Sequence, residues 1–157
     1  MKVNTIMTAA VKSCQAQTNL AAIAAIMWDN DCGVVPVVDE RGQAIGIVTD
    51  RDICIALGTR DVRASTLTAR DVMSSPVVGC VPEDDCIIVL LTMVEHRVHR
   101  LPVLGPNAVV IGLVSLDDIV RRAAAVPAGD PLRHGILDVL AAIGGHKVPI
   151  RARLATA

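Results

Sequence analysis

Aromatic side chains are almost absent from this sequence: Trp28 is its one aromatic residue, and it has no Phe or Tyr. Proteins that hold single-stranded nucleic acid usually stack the bases on aromatic side chains, and this chain lacks such a platform. The net charge of −1 gives no general attraction to nucleic acid either. We therefore expect no nucleic-acid partner, and any base that the chain binds must lie between aliphatic side chains.

Long uninterrupted apolar stretches are also missing, although 52% of the residues are hydrophobic. The longest, such as residues 20–28, are broken by charge well before the ~20 residues that a membrane-spanning helix needs. No charged-then-apolar signal segment opens the chain, so we expect a cytoplasmic protein that does not enter a membrane. The apolar content excludes a disordered chain, because so much apolar surface can offset the entropy of ordering.

Metal-binding spacings of cysteine and histidine are absent as well. The five cysteines are odd in number and never spaced Cys-x-x-Cys: Cys14, Cys32, Cys54, Cys80 and Cys86. Reduced, buried thiols are therefore predicted instead of disulfides or a zinc site. His96 and His99 have no evident third ligand nearby, so no metal is expected there. The chain also lacks a nucleophile-elbow motif and a Walker loop, which argues against an enzyme.

An internal repeat is the strongest positive signal. A shift of 66 positions superposes Pro36-Val37 on Pro102-Val103 and Gly46 on Gly112, with 11 identities between residues 5–57 and 71–123 and no gap. The identities keep a matched order of Met, Pro, Gly and Asp. The chain is therefore predicted to hold two copies of one unit, over residues 3–57 and 69–124, with a linker at 58–68 and a tail at 125–157.

Each copy predicts the same order of elements, β-α-β-β-α. Strands are expected at 11–14, 34–38 and 45–49, and again at 77–81, 100–104 and 109–115. The first helices are expected to be capped by Thr18 and Asp84 and to end near Asn30 and His96, and the closing helices to begin at Thr49 and Ser115. A copy this small buries too little core to stand alone. We therefore predict an α+β fold of tandem repeats that pack about a pseudo-twofold axis, with small sheets covered by helices. A short helix is expected in the tail over 130–143.

The end of the last strand carries the same motif in both copies, Gly46-Ile47-Val48-Thr49-Asp50-Arg51-Asp52 and Gly112-Leu113-Val114-Ser115-Leu116-Asp117-Asp118. With the repeat and the openings Ile6-Met7 and Val72-Met73, the chain resembles a stand-alone CBS domain pair, or Bateman module, over about residues 3–124. This resemblance implies a regulatory module that binds AMP, ADP, ATP, S-adenosylmethionine or a related ligand between its repeats. Such a module reports binding to a separate, here unknown, partner protein.

The motif residues suit that chemistry on their own terms. A carboxylate in the first turn of a helix, Asp52 or Asp118, can accept hydrogen bonds from two ribose hydroxyls. Thr49 and Ser115 offer a hydroxyl at a helix N-terminus, where phosphate can bind. The same Ser/Thr-x-x-Asp spacing also makes a capping box that needs no ligand, and the residues can serve both roles.

Two ligand-binding clefts are expected between the repeats, and they are expected to differ in whether His99 and Arg100 line them. His99-Arg100-Leu101-Pro102-Val103 is similar to a stretch of the γ subunits of AMP-activated protein kinase in which His and Arg approach phosphate. In the family the Asp of one repeat is taken to face the strands of the other. Cleft A, expected to take a phosphorylated nucleotide, then combines Thr49, Arg51, Asp52, Val77, Val78, Val98, His99 and Arg100. Cleft B, expected to take an uncharged adenosine-type ligand or none, combines Ala10, Val11, Cys32, Gly33, Val34, Ser115 and Asp118.

Family resemblance also implies a homodimer. The closing helices are expected to supply the interface through Ile53, Ala56, Leu57, Ile119, Val120 and Ala123. Two functions remain open: a sensor of an adenosine ligand, or a structural dimerisation module without ligand response.

Overall fold

The computed structural model describes residues 1–9, 11–125, 127, 129, 133, 136, 139 and 140. The strands are β1 (Thr8–Ala9), β2 (Cys14–Gln15), β3 (Val34–Val38), β4 (Ala44–Thr49), β5 (Arg100–Leu104) and β6 (Val110–Ser115). The α-helices are α1 (Leu20–Asp29), α2 (Asp50–Arg60), α3 (Ala69–Val72), α4 (Cys86–His96) and α5 (Leu116–Ala123). The predicted α+β fold of two related halves is confirmed.

Two three-stranded sheets organise the molecule, in the orders β2-β3-β4 and β1-β6-β5. Their antiparallel hairpins share one register, because Val34 lies opposite Thr49 just as Arg100 lies opposite Ser115. A shift in the pairing register also recurs: it lies between Val37 and Val38 in the first hairpin and between Val103 and Leu104 in the second. The 66-residue repeat in sequence is therefore a repeat in structure.

The two repeats exchange their opening segments. Val3 is fully buried in the core of the second repeat, and β1 pairs with β6. Reciprocally, Ala69 is buried in the core of the first repeat, and Ser74 exchanges backbone hydrogen bonds of 2.9 and 3.1 Å with Ile47. Each core is thus completed by the other copy, which explains how two units too small to fold alone can form one stable molecule.

Glycine in the strand-end motif is explained by this exchange. A Cβ atom added at Gly46 would lie 2.5 Å from Met73 Sδ and 3.0 Å from Met73 Cγ. At Gly112 it would lie 2.9 Å from the carbonyl oxygen of Thr8. Both glycines therefore leave room for the incoming segment of the other repeat.

Several local predictions were wrong at the ends of elements. Only Cys14–Gln15 forms the strand expected at 11–14, and at 77–81 only Cys80 bridges to a neighbouring strand. Asn19 caps α1 in place of Thr18, whose hydroxyl accepts from the amide of Gln15. Asp85 likewise caps α4, because the Asp84 carboxylate is bonded to the amide of Val81.

The helix faces expected to form a dimer interface are part of the cores. Ile53 and Ala56 are buried in the first core, and Ile119 and Ala123 in the second, because α2 and α5 cover the sheets with these faces. Most of the tail helix expected over 130–143 lies outside the described residues. Ile136 and Val139 are described, and they are buried in the second core. None of the described helices is both long and apolar enough to cross a bilayer.

Candidate functional site

Both strand-end motifs form capping boxes. The backbone amide and the hydroxyl of Thr49 donate to Asp52 Oδ2 over 2.8 and 2.7 Å, and the Asp52 amide donates to Thr49 Oγ1 over 3.2 Å. Ser115 and Asp118 repeat the arrangement, with a hydroxyl-to-carboxylate distance of 2.6 Å. The bonds fix each carboxylate at the start of its helix.

Each capping box uses one carboxylate oxygen of its Asp, Oδ2, and does not use the other, Oδ1. All these bonds use Oδ2, and within the described part of the chain Asp52 Oδ1 accepts no hydrogen bond. Asp118 Oδ1 lies 3.8 Å from the Nη2 atom of Arg121, whose side chain is 79% exposed, so this ion pair is weak. Capping and ligand binding are therefore compatible: Oδ2 holds the helix, and Oδ1 can accept from a ligand hydroxyl.

The start of α2 does not offer the phosphate site expected from the sequence. The Asp50 amide donates to the Gly33 carbonyl over 3.2 Å, the Arg51 amide to Asp50 Oδ1 over 2.7 Å, and the Thr49 hydroxyl is committed to Asp52. An anion needs free N–H donors at a helix N-terminus. The first amides of α2 are already satisfied, and the Asp50 carboxylate adds negative charge.

Each strand-end motif adjoins a strand of its own repeat. Arg100 lies opposite Ser115 in the β5-β6 ladder, and the His99 carbonyl accepts from the Leu116 amide over 2.8 Å. In the first repeat Val34 lies opposite Thr49 in the same way. This pairing within each hairpin leaves the expected grouping of residues into two clefts a prediction.

A pocket of about 500 Å³ joins the two repeats, because Arg100 of the second repeat lines it together with residues of the first. It is lined by Ala24, Met27, Trp28, Asp31, Cys32, Gly33, Asp50, Ile53 and Arg100. Of these residues, Cys32, Gly33 and Arg100 were predicted from the sequence to bind a ligand, although in different clefts. Asp31 and Asp50 were not predicted as binding residues, and their one available signal was their position beside the predicted end of α1 and start of α2. We call this space the Asp50 pocket.

A second pocket, of about 310 Å³, adjoins Asp118. Its lining includes Thr5 and Ile6 from the exchanged opening segment and Arg121 and Arg122 from α5. Of the described residues predicted for cleft B, Asp118 alone lines this pocket, together with two arginines of its own helix. We call this space the Asp118 pocket.

The other predicted binding residues line neither pocket, and these include half-buried Thr49 and Asp52 and buried Ser115. Val11, Val77, Val78 and Val98 are half-buried, and Val34 is buried. Arg51 and His99 are exposed. Ala10 lies outside the described residues. Whether any of these residues contacts a ligand stays a prediction.

The cysteines are all reduced in the structure. Cys14, Cys80 and Cys86 are buried, as expected, and burial raises the pKa of Cys14 to about 11 and that of Cys80 to about 12. Cys54 is exposed and Cys32 half-buried, so the expectation of buried thiols holds for three of the five. Among the described residues no group of three or more His, Cys, Asp and Glu side chains is placed to hold a metal ion.

Comparison with known proteins agrees with this architecture. An uncharacterized protein of Methanopyrus kandleri is 32% identical over 99 residues, which are 63% of this chain and 50% of that protein, so the chain spans half of its length. Hypoxic response protein 1 of Mycobacterium tuberculosis is 30% identical over 117 residues, 74% of this chain and 81% of that protein.

A structural relative gives the same answer for the fold. The CBS domain pair of protein MJ0100, solved with 5′-methylthioadenosine and S-adenosyl-L-methionine, superposes with a TM-score of 0.73 at 23% identity. The match covers 79% of this chain and 96% of that one. Residues 3–59 and 69–125 each match the CBS domain. The chain therefore belongs to the CBS domain family, with two such domains in tandem.

Proposed function

We propose that this protein is a regulatory module that binds an adenosine-containing small molecule between its two CBS domains and signals its presence to a separate protein. The observation that carries the proposal is the pair of capping boxes, since each fixes a carboxylate through Oδ2 and, among the described residues, leaves Oδ1 without a hydrogen bond. Two ribose hydroxyls suit such an acceptor. The complex of protein MJ0100 with two adenosine compounds supports this ligand class.

Apolar lining suits the same class of ligand. Without Phe or Tyr the chain is expected to hold adenine mainly against aliphatic side chains, and Ile6 lines the Asp118 pocket. The Asp118 pocket and the start of α2 differ in the groups that they offer to a phosphate. The Asp118 pocket has Arg121 and Arg122 for a phosphorylated nucleotide such as AMP, ADP or ATP, and the start of α2 is closed to phosphate.

Signalling follows from the exchanged segments. A ligand that touches both repeats favours one relative arrangement of the repeats over another. The two repeats are coupled because each contributes a segment to the core of the other. A ligand shifts such an equilibrium only by its difference in affinity between two arrangements. The proposal is thus of a sensor and not of a catalyst, and it keeps the cytoplasmic location expected from the sequence.

A homodimer belongs to the proposal, through different residues from those first expected. Trp28 on α1 is 87% exposed, and on α4 Leu91 is 58% exposed beside Ile87 and Ile88. These positions form matching outer faces of the two first helices, and exposed apolar faces of this kind mark interaction surfaces. A second copy of the chain suits them because it presents the same pair of faces.

Thermal unfolding with AMP, ADP, ATP, S-adenosylmethionine and NAD tests the ligand proposal. A ligand at 100 times its Kd stabilises the folded chain by about 2.7 kcal/mol. For a chain of this size that raises Tm by about 5–10 °C. The variants Asp52→Asn and Asp118→Asn keep one oxygen for the cap and replace the outward acceptor, so at least one of them should abolish the shift.

Asp39→Asn is the matched control. Asp39 Oδ1 also accepts two backbone amides, from Arg41 and Gln43, but in the turn at the other end of β4. The control should therefore keep the full ligand-induced shift. An unchanged Tm with every compound at millimolar concentration would favour a purely structural dimerisation module.

A further inference from the structure

The Asp50 pocket contains charges of both signs that do not pair with each other. Asp31, Asp50 and Arg100 all line it, yet no ion pair joins them within the described part of the chain. Asp50 spends Oδ1 on the Arg51 amide, and its Oδ2 lies against Gly33. Arg100 reaches the pocket from the other repeat. Two carboxylates and a guanidinium therefore face one space with capacity for a ligand of mixed charge.

This arrangement is a property of the first repeat and not of the fold. At the equivalent positions of the second repeat, Asp31 is replaced by Arg97 and Asp50 by Leu116. Gly33, whose missing side chain makes room for the Asp50 carboxylate, is replaced by His99. Since the two repeats share one backbone, the acidic pair is not needed to build the hairpin or to start the helix.

The charges exclude some ligand groups and favour others. A phosphate meets two carboxylates and no free amide at the start of α2. A simple cation meets the guanidinium of Arg100. A group with both an ammonium and a carboxylate satisfies all three side chains, since Arg binds carboxylate bidentately and a carboxylate accepts from ammonium. Ala24, Met27 and Ile53 supply an apolar wall for the carbon chain between them.

We propose that the Asp50 pocket binds the α-amino-acid group of a ligand, with Arg100 on its carboxylate and Asp50 and Asp31 on its ammonium. Two sources share this chemistry: a free amino acid with an apolar side chain, and the amino-acid end of an adenosine ligand such as S-adenosylmethionine. The second source deepens the proposed function and rests on it. Asp52 and Asp50 both lie in the first turn of α2, so a ligand with its ribose on Asp52 would have its 5′ substituent near the start of that helix.

Three probes separate these possibilities. S-adenosylmethionine carries the amino-acid group, 5′-methylthioadenosine has the same adenosine without it, and L-methionine has it without the adenosine. Calorimetric titration measures each Kd on the intact chain. Fluorescence of Trp28, the chain's one aromatic residue, gives a second signal because Trp28 lines the pocket, and it is read at a constant protein concentration so that assembly does not contribute to the change.

The expected result is that S-adenosylmethionine binds at least tenfold more tightly than 5′-methylthioadenosine, a difference of about 1.4 kcal/mol. Arg100→Gln and Asp50→Asn should each remove this advantage and leave the Kd of 5′-methylthioadenosine unchanged. Arg97→Gln is the matched control: it removes a cation three residues from Arg100 that lines neither pocket. Two separate variants guard against loss of folding, which circular dichroism detects.

The outcomes distinguish this inference from the proposed function. Equal affinities for S-adenosylmethionine and 5′-methylthioadenosine, both unaffected by Arg100→Gln, would overturn the inference and leave adenosine binding intact. If no adenosine compound binds but L-methionine does, with loss in Arg100→Gln, the amino-acid site stands and the proposed function fails. If neither L-methionine nor S-adenosylmethionine binds, the inference is overturned.

Discussion

Adding one methyl group at Gly46 tests whether the two repeats interpenetrate as described. In Gly46→Ala the new Cβ would lie 2.5, 3.0 and 3.1 Å from Sδ, Cγ and Cβ of Met73. These atoms include the base of the methionine side chain, so rotation of its far end does not relieve the contact. The segment that carries Met73 must shift away from the first repeat.

The cost follows from that geometry. Overpacking a well-filled contact costs about 1–3 kcal/mol. Gly46→Ala should therefore lower the free energy of unfolding in urea by that amount. Met73→Ala removes Sδ and Cγ, the two nearest atoms, and keeps only Cβ at 3.1 Å, so Gly46→Ala should cost less than about 1 kcal/mol in that background. The two changes are predicted to couple by about 1–2 kcal/mol, within the range found for residues in contact.

Gly58→Ala is the matched control, and it is expected to raise the free energy of unfolding where Gly46→Ala lowers it. Gly58 lies in α2, and a Cβ atom added there meets no heavy atom within 4 Å. Alanine is favoured over glycine within a helix, so this variant should gain about 0.5–1 kcal/mol. If Gly46→Ala and Met73→Ala are additive, the two residues are not in contact and the exchange of segments is refuted.

Three further predictions concern titration, thiol reactivity and assembly. Hydrogen bonds from the Thr68 amide and hydroxyl lower the pKa of Asp71 below its ordinary value of 3.8, so this group stabilises the fold above that pH, and the stabilisation is lost as the pH falls through the lowered value. Urea midpoints between pH 5 and pH 2 should therefore depend less on pH in Asp71→Asn than in the unchanged chain; an identical dependence would argue against these two hydrogen bonds. Burial raises the pKa of Cys80 to about 12, so a thiol reagent at pH 8 should modify exposed Cys54 at once and Cys80 only after unfolding. Leu91→Glu places a charge on the proposed dimer face and should reduce the mass measured by light scattering from twice the monomer to the monomer; an unchanged mass would place the interface elsewhere.

Local features of the fold could be predicted from the sequence because their signals are local. The hairpin strand Val34–Val38 was predicted with its observed bounds, since turn residues flank a run of β-branched side chains. The choice between Thr18 and Asn19 as helix cap failed because both residue types cap helices. The contact that decided it is the bond from the Gln15 amide to the Thr18 hydroxyl, which depends on the turn before the helix.

The outward faces of the helices could not be predicted, because α1 has no polar residue from Leu20 to Trp28. A helix that is apolar on every side gives no periodicity from which to choose its buried face. The fold buries Ile23 and Met27 and leaves Trp28 exposed.

The candidate site was predictable only in part for a related reason. The capping boxes are encoded by spacing within one segment, and both form. The Asp50 pocket depends on the approach of Arg100 from the other repeat, and no spacing along the chain encodes that distance. The hairpin register pairs Arg100 with Ser115, and whether His99 and Arg100 meet a ligand beside Thr49 stays a prediction.

The most direct test of adenosine binding between the repeats is calorimetric titration of the intact chain with S-adenosylmethionine, 5′-methylthioadenosine, AMP and ATP. We predict a saturable isotherm with at least one of them, weakened at least tenfold by Asp52→Asn or Asp118→Asn and unchanged in Asp39→Asn. Absence of saturable heat with all four compounds at millimolar concentration, or an isotherm that neither cleft variant alters, would contradict it.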